Sequence, residues 1–218
     1  MSVLFTRRGT PPVLGKLASD YTVGDSIFLT VNGEDREFII VQQGNPDASK
    51  YDNSCDGMWL LMKDLYTPMK WNVDGSNDYK SSTVHKYLNN EFLALLSEDV
   101  RNQISQVKIP YVNGMGSSGS VRNGSNGLST KVFLLSCYEL YYTASSVTPN
   151  LGTALDYFKQ YTSTALEKKR IAYLNGTVTS WWTRSPDMGT EYQAWYVSQD
   201  GGCPITYCTD TLALRPTL

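Results

Sequence analysis

Apolar and polar positions alternate most clearly near the start of the chain. Residues 27–31 (Ile-Phe-Leu-Thr-Val) and 37–41 (Glu-Phe-Ile-Ile-Val) are strand-like and flank Asn32-Gly33, a dipeptide suited to a left-handed tight turn. They predict a hairpin over residues 25–41, joined through Asn32-Gly33 and a short charged stretch. A polar loop over residues 42–57 leads to a third apolar run, Met58-Trp59-Leu60-Leu61-Met62. The period then changes. Val84, Tyr87, Leu88, Phe92 and Leu95 recur at helical spacing, with Ser82 or Thr83 as the cap. Ser97-Glu98-Asp99 opens a second helix running through Ile104, with its acids at the positive end of the helix dipole.

Residues 113–127 are rich in Gly, Ser and Asn and read as one long loop, a length uncommon in compact domains unless functional. Residues 131–135 predict a buried strand, and Ser136 with Glu139 has capping-box spacing for a helix start. Residues 155–166 predict a third helical region, followed by the basic Lys168-Lys169-Arg170. From Ile171 onward the text is β-like: Trp181-Trp182, Ala194-Trp195-Tyr196-Val197 and Leu212-Ala213-Leu214 are separated by turn residues. Strands, then helices, then strands, with no internal repeat, give an α+β class. Gly9, Pro11, Pro12 and Gly15 interrupt any regular element at the start, so residues 1–20 read as an arm and residues 21–218 as one domain.

Charge narrows the function. Lys and Arg number 19 against 21 Asp and Glu, a net charge of −2, which excludes attachment to nucleic acid by bulk electrostatics. No stretch is long and apolar enough for membrane insertion, and Arg7-Arg8 is not followed by the apolar core of an export signal. A single histidine, His85, rules out a His-rich metal site; without a G-x-S-x-G elbow it reads as a helix-surface residue. Cys55, Cys137, Cys203 and Cys208 form no C-x-x-C pair and read as free buried thiols. Gly114-Met115-Gly116-Ser117-Ser118-Gly119 matches a dinucleotide fingerprint but sits in loop text rather than between strand and helix. Asp52 to Gly57 begins like a calcium loop, yet its twelfth position is Lys63, so the segment reads as an Asx-rich turn. Neither metal nor cofactor is expected, and no residue is assigned as catalytic. A carbohydrate-active enzyme using Glu98-Asp99, or Asp187 with Glu191, is the weaker alternative.

The fifteen tyrosines matter by position. Several fall on predicted helices, but the C-terminal quarter mixes aromatic, small and amide side chains in turns between short strands. Tyrosine and tryptophan give large rigid contact area with few rotors to freeze, so such a mixture suits a recognition surface. The candidate ligand-binding residues are Asp187, Met188, Glu191, Tyr192, Trp195, Tyr196, Ile205 and Tyr207. Trp181, Trp182, Arg184 and Arg215 are candidate framework; adjacent indoles on a strand face opposite ways, so one of the pair is expected to be buried.

Trp181-Trp182-Thr183-Arg184-Ser185-Pro186 with the late Arg215-Pro216 resembles an uncharacterised domain family of gut bacteria and their phages, marked by W-W-x-R-S-P and a terminal G-x-R-P-A. Residues 82–89 resemble that family's helix motif and residues 131–136 its K-h-F-L-L-S segment. Here Ala213 stands where the family has the Gly of G-x-R-P, and Thr217 where it has the Ala. The family is similar in turn to the C-type-lectin-like and formylglycine-generating-enzyme superfamily. The resemblance implies a C-type-lectin-like fold, with short helices on small antiparallel sheets and long loops. It also implies a phage or prophage tail-tip protein whose C-terminal face, diversified by a retroelement in some relatives, binds a host cell-surface protein or glycan. Its arm would meet other virion proteins, and the chain would be a homo-oligomer located in the virion. A structural decoration or assembly protein without receptor binding is the alternative.

Overall fold

Asn32 (φ 51°) and Gly33 (φ 77°) both adopt left-handed backbone, so two residues suffice to turn β1 (Ser26–Val31) into β2 (Glu34–Gln43). Val31 therefore pairs with Glu34, and the charged stretch expected in the connection lies in the ladder. β3 (Met58–Met62) adds antiparallel to β2 across a register shift between Ile40 and Gln42, completing a sheet of order β1-β2-β3. These features come from a computed structural model, which describes residues 20–142, 149–159 and 163–218. The N-terminal arm thus lies outside the described residues apart from Asp20.

After β4 (Pro68–Lys70), Ser82 caps α1 (Thr83–Tyr87) by accepting the His85 amide at 3.1 Å. A π turn at Leu88–Phe92 follows, then α2 (Leu93–Leu95), and Val84, Leu88 and Phe92 are buried. The widened turn carries Asn89, whose Oδ1 accepts the amides of Lys131 (2.9 Å) and Val132 (3.2 Å) while its Nδ2 donates to Val132 O (2.8 Å). α3 (Glu98–Gln103) starts after Ser97, which makes no side-chain cap bond. His85 is half-buried rather than on the open surface, with its ring 5.3 Å from that of Tyr79 and its Nδ1 3.1 Å from Lys80 O.

The middle of the chain departs from its sequence reading. β5 (Val107–Ile109) pairs with β8 (Leu128–Thr130), and β6 (Tyr111–Asn113) with β7 (Ser120–Arg122), so the expected long loop contains a hairpin. Residues 132–135 are buried and Lys131 half-buried, but the run forms no sheet; Phe133 makes one bridge, to Thr217. Side chains replace the ladder there, since the Leu134 amide donates to Tyr79 OH (3.1 Å) and Leu134 O accepts from Arg184 Nη1 (2.8 Å). Ser136 and Glu139 exchange the reciprocal capping bonds, at 2.9 and 3.1 Å, around a single turn instead of a helix. The chain leaves that turn at Tyr141, whose φ is 59°.

α4 (Asp156–Lys159) and α5 (Ser163–Arg170) occupy the predicted helical region. β9 (Tyr173–Leu174) and β10 (Thr177–Val178) form a small hairpin across Asn175-Gly176. β11 (Trp181–Pro186), β12 (Gln193–Val197), β13 (Ile205–Tyr207) and β14 (Thr211–Ala213) then build a second sheet, of order β13-β12-β11-β14-β4. β11 is the middle strand, covered on both faces, so Trp181 and Trp182 are both fully buried where one was expected to be. One apolar core joins the two sheets. Beyond β14 the chain crosses back to the first sheet: Met62 N donates to Pro216 O (2.9 Å), and Leu60 and Leu218 exchange bonds at 3.1 and 2.9 Å.

The fold is mixed α+β. All four cysteines are free and buried. Asp52 caps a short turn by accepting the Ser54 amide at 3.0 Å, and no group of three or more potential metal ligands occurs among the described residues. No helix among them is long and apolar enough to cross a membrane.

Candidate binding face

The base of the site is a buried electrostatic joint. Arg184 on β11 has no exposed side-chain surface and grips both oxygens of Glu139 with its two terminal nitrogens. Its Nε donates to Pro110 O at 3.1 Å. Glu139 also accepts from Tyr51 OH (2.7 Å) and the Ser136 amide (2.9 Å), so every charged oxygen has partners. Burial alone would lower the Arg184 pKa; the Glu139 charge and its hydrogen bonds outweigh it, and the guanidinium is held above its ordinary value. Burial, then the charge of Glu139, pushes the Tyr51 phenol well up. Arg215 forms no ion pair among the described residues: it donates to Met62 O (3.0 Å), Lys63 O (3.1 Å) and Arg170 O (3.3 Å), lies over the Trp181 ring, and is lowered to about 10 by burial. Each indole N–H of the Trp pair is spent on a carbonyl, Trp181 on Arg170 O and Trp182 on Met69 O, both at 3.0 Å. These four residues fix β11 and cannot contact solvent.

The connection from β11 to β12 hangs on one side chain. Asn77 Nδ2 donates to the carbonyls of Asp187 (2.8 Å), Thr190 (2.7 Å) and Gln193 (2.9 Å), its Oδ1 accepts the Gly116 amide (3.2 Å), and its own amide donates to Glu191 O (2.9 Å). Gly116 (φ 47°) is required there, because a Cβ would lie 3.0 Å from the carbonyl of Thr190. The glycine-rich segment that resembled a nucleotide loop therefore buttresses the β11–β12 connection. Gly116 stood out in the sequence only as part of a dinucleotide fingerprint, and Asn77 not at all: it sits among other Asn, Asp and Ser residues, and its carbonyl partners lie more than a hundred positions away.

The eight candidate residues separate into groups. Tyr192, Ile205 and Tyr207 are exposed at 52%, 37% and 54%, making an apolar surface at the sheet edge. The Tyr192 and Tyr207 rings stack with centroids 5.8 Å apart and planes 19° from parallel, and the Cys208 amide ties the two segments by donating to Tyr192 O (2.9 Å). Glu191 is exposed and Met188 half-buried on the connection. Asp187 and Trp195, in contrast, are buried, so they lie beneath the surface instead of on it. Trp195 is the cross-strand partner of Ile205, and Thr183 Oγ1 donates to its carbonyl at 2.7 Å. Tyr196 pairs with Trp182 and, one residue on from Trp195, faces the opposite side of the sheet, edge-on to that indole.

The arrangement offers a rigid aromatic step with an acidic side chain beside it, standing on a frame with no exposed joint. Such a surface can stack on a flat or apolar partner without reorganising. Comparison with curated proteins and with solved structures returns no match. The model of DUF6273, a domain of unknown function, matches residues 56–218, which include β3, the Glu139–Arg184 joint and the whole second sheet but not the β1–β2 hairpin. With three quarters of its length covered, the chain belongs to the DUF6273 family.

Proposed function

We propose that this domain is a ligand-binding module on a lectin-like α+β scaffold, and that the surface around Tyr192, Ile205 and Tyr207 recognises a host-surface protein or glycan. The observation that carries the reading is the stacked, half-exposed Tyr192–Tyr207 pair on a buried frame. Exposed aromatic rings held without rotor freedom are the side chains that dominate binding energy at recognition surfaces. Glu191 gives the rim a charge able to accept hydrogen bonds from a sugar hydroxyl or a basic side chain. The resemblance of the W-W-x-R-S-P segment to phage-borne domains supports reading the role as a virion one, with the arm attaching the module to neighbouring subunits and several copies acting together. The domain then works by binding, not turnover.

Binding of the purified chain to host cells and to a glycan array tests the proposal, using Tyr192→Ala, Tyr207→Ala and the double variant. Loss of a central aromatic contact costs about 2 kcal/mol, a roughly 30-fold weaker affinity for each single variant. Both residues are exposed, so the variants retain the parent circular dichroism. Unchanged cell binding with lost particle assembly would instead support the decoration role.

A further inference from the structure

A second concavity is built from other elements than the aromatic face. It lies between the first sheet and α3, encloses about 320 Å³, and falls in the size range of small-molecule sites. Leu29 of β1, Trp59 and Leu60 of β3, Val100 on α3, Ile104 just after it, and Phe133 supply much of its apolar wall. Trp59 offers the chamber only carbon, because its N–H is spent on Cys55 O at 3.1 Å and its ring is locked edge-on between Tyr51 and Phe133. Cys55 is equally inert: its thiol donates to Lys108 O at 3.3 Å, and burial pushes its pKa up to about 11. The wall is mostly apolar, with Ser54, Gln103 and Ser105 as its uncharged polar residues.

Two charged side chains reach the lining, Lys131 and Asp56, beside the backbone of Leu218, and they differ in how they are already bonded. Asp56 Oδ1 already accepts the Asn45 amide at 3.2 Å. The Lys131 backbone is anchored through Asn89, yet its ammonium takes part in none of the ion pairs or side-chain hydrogen bonds found among the described residues. An apolar chamber with an uncommitted cation on its lining is complementary to a chain with an anionic head. We propose that this cavity binds an amphipathic monocarboxylate, its alkyl chain against Trp59, Leu60 and Ile104 and its carboxylate on Lys131.

Titration calorimetry of the full chain with decanoate, decylamine and decanol, below micelle formation, tests the proposal. Decanoate is expected to bind one per chain, at least tenfold more tightly than decylamine. Lys131→Gln is expected to reduce decanoate to the affinity of decanol, and Val100→Trp, which fills the chamber, to abolish binding. Should the tryptophan variant fail to fold, quenching of Trp59 by a bromine-bearing fatty acid in the unmodified chain reports on the same wall, with Trp59→Phe as the control. The Tyr192→Ala/Tyr207→Ala chain should bind decanoate unchanged, which separates this site from the aromatic face. Absence of binding, equal affinity for decylamine, or indifference to Lys131→Gln would overturn the assignment.

Discussion

Glu139→Gln removes one charge and almost no volume from the centre of the molecule. Glu139 and Arg184 have no exposed side-chain surface, so neither can turn to water when its partner changes. The carboxylate receives Arg184 twice, Tyr51 OH and the Ser136 amide. A glutamine must aim its NH₂ at one of those donor sets, and the guanidinium is left charged against a neutral group. Breaking a buried pair by altering one member costs about 3–5 kcal/mol, a large part of the roughly 5–15 kcal/mol that holds a domain together. With a urea m-value of about 2 kcal/mol/M, the midpoint should fall by about 2 M with an unchanged slope. Urea unfolding followed by tryptophan fluorescence measures it, and added salt should leave the difference unaltered because the pair is shielded from counterions. Glu139→Met/Arg184→Met should cost less than Glu139→Gln, since no orphaned charge remains. A midpoint shift under about 0.5 M, or a double variant worse than the single one, would refute the argument.

Three further outcomes are expected. Asn77→Ala leaves the carbonyls of Asp187 and Thr190 and the Gly116 amide short of partners, while Gln193 O keeps the Asp187 amide. At about 1–3 kcal/mol for each buried orphan that water does not reach, the variant should lose about 3 kcal/mol and exchange its residue 187–193 amides faster by hydrogen exchange. His85 has a pKa lowered by burial, so its folded value lies below its unfolded value of about 6.5. The unfolded chain therefore binds the extra proton first: stability from a neutral His85 is complete above about pH 6.5 and falls as pH drops toward the folded value, a slope that His85→Gln should flatten in unfolding curves from pH 7.5 to 5.5. Burial raises Cys208 to about 12 as it raises Cys55, and all four thiols are enclosed; a thiol reagent at pH 8 should find none in the native chain and four after denaturation.

Local rules were readable where local geometry decides. Asn32-Gly33 and Asn175-Gly176 turn as their backbone preferences dictate, and Ser82 caps the helix that its position announces. Ser136 and Glu139 also exchange the bonds their spacing requires, but the turn they open ends at Tyr141 in left-handed backbone, and the Glu139 carboxylate also meets Arg184, forty-five positions away. The same arginine takes the Leu134 carbonyl, which is why an apolar run that reads as a strand is an extended segment without a ladder. For the binding face, period-two alternation separates Tyr196 from Trp195 once the strand is known. The burial of Asp187 depends on Asn77, which no spacing connects to it. Side-chain-to-backbone bonds over long separations are invisible to a reading that works by period and cap.

The return of residues 216–218 to β3 and Phe133 has a consequence for synthesis. The outer edge of β3 finds its partner only in the last residues of the domain, and Arg215, which closes the carbonyls of Met62 and Lys63, arrives with them. At about 5–20 residues per second, a ribosome holds the first sheet edge-open for many seconds after β3 has emerged. The nascent edge must then stay unpaired or sheltered until residues 216–218 have emerged, and the domain closes like a drawstring, from its end backward.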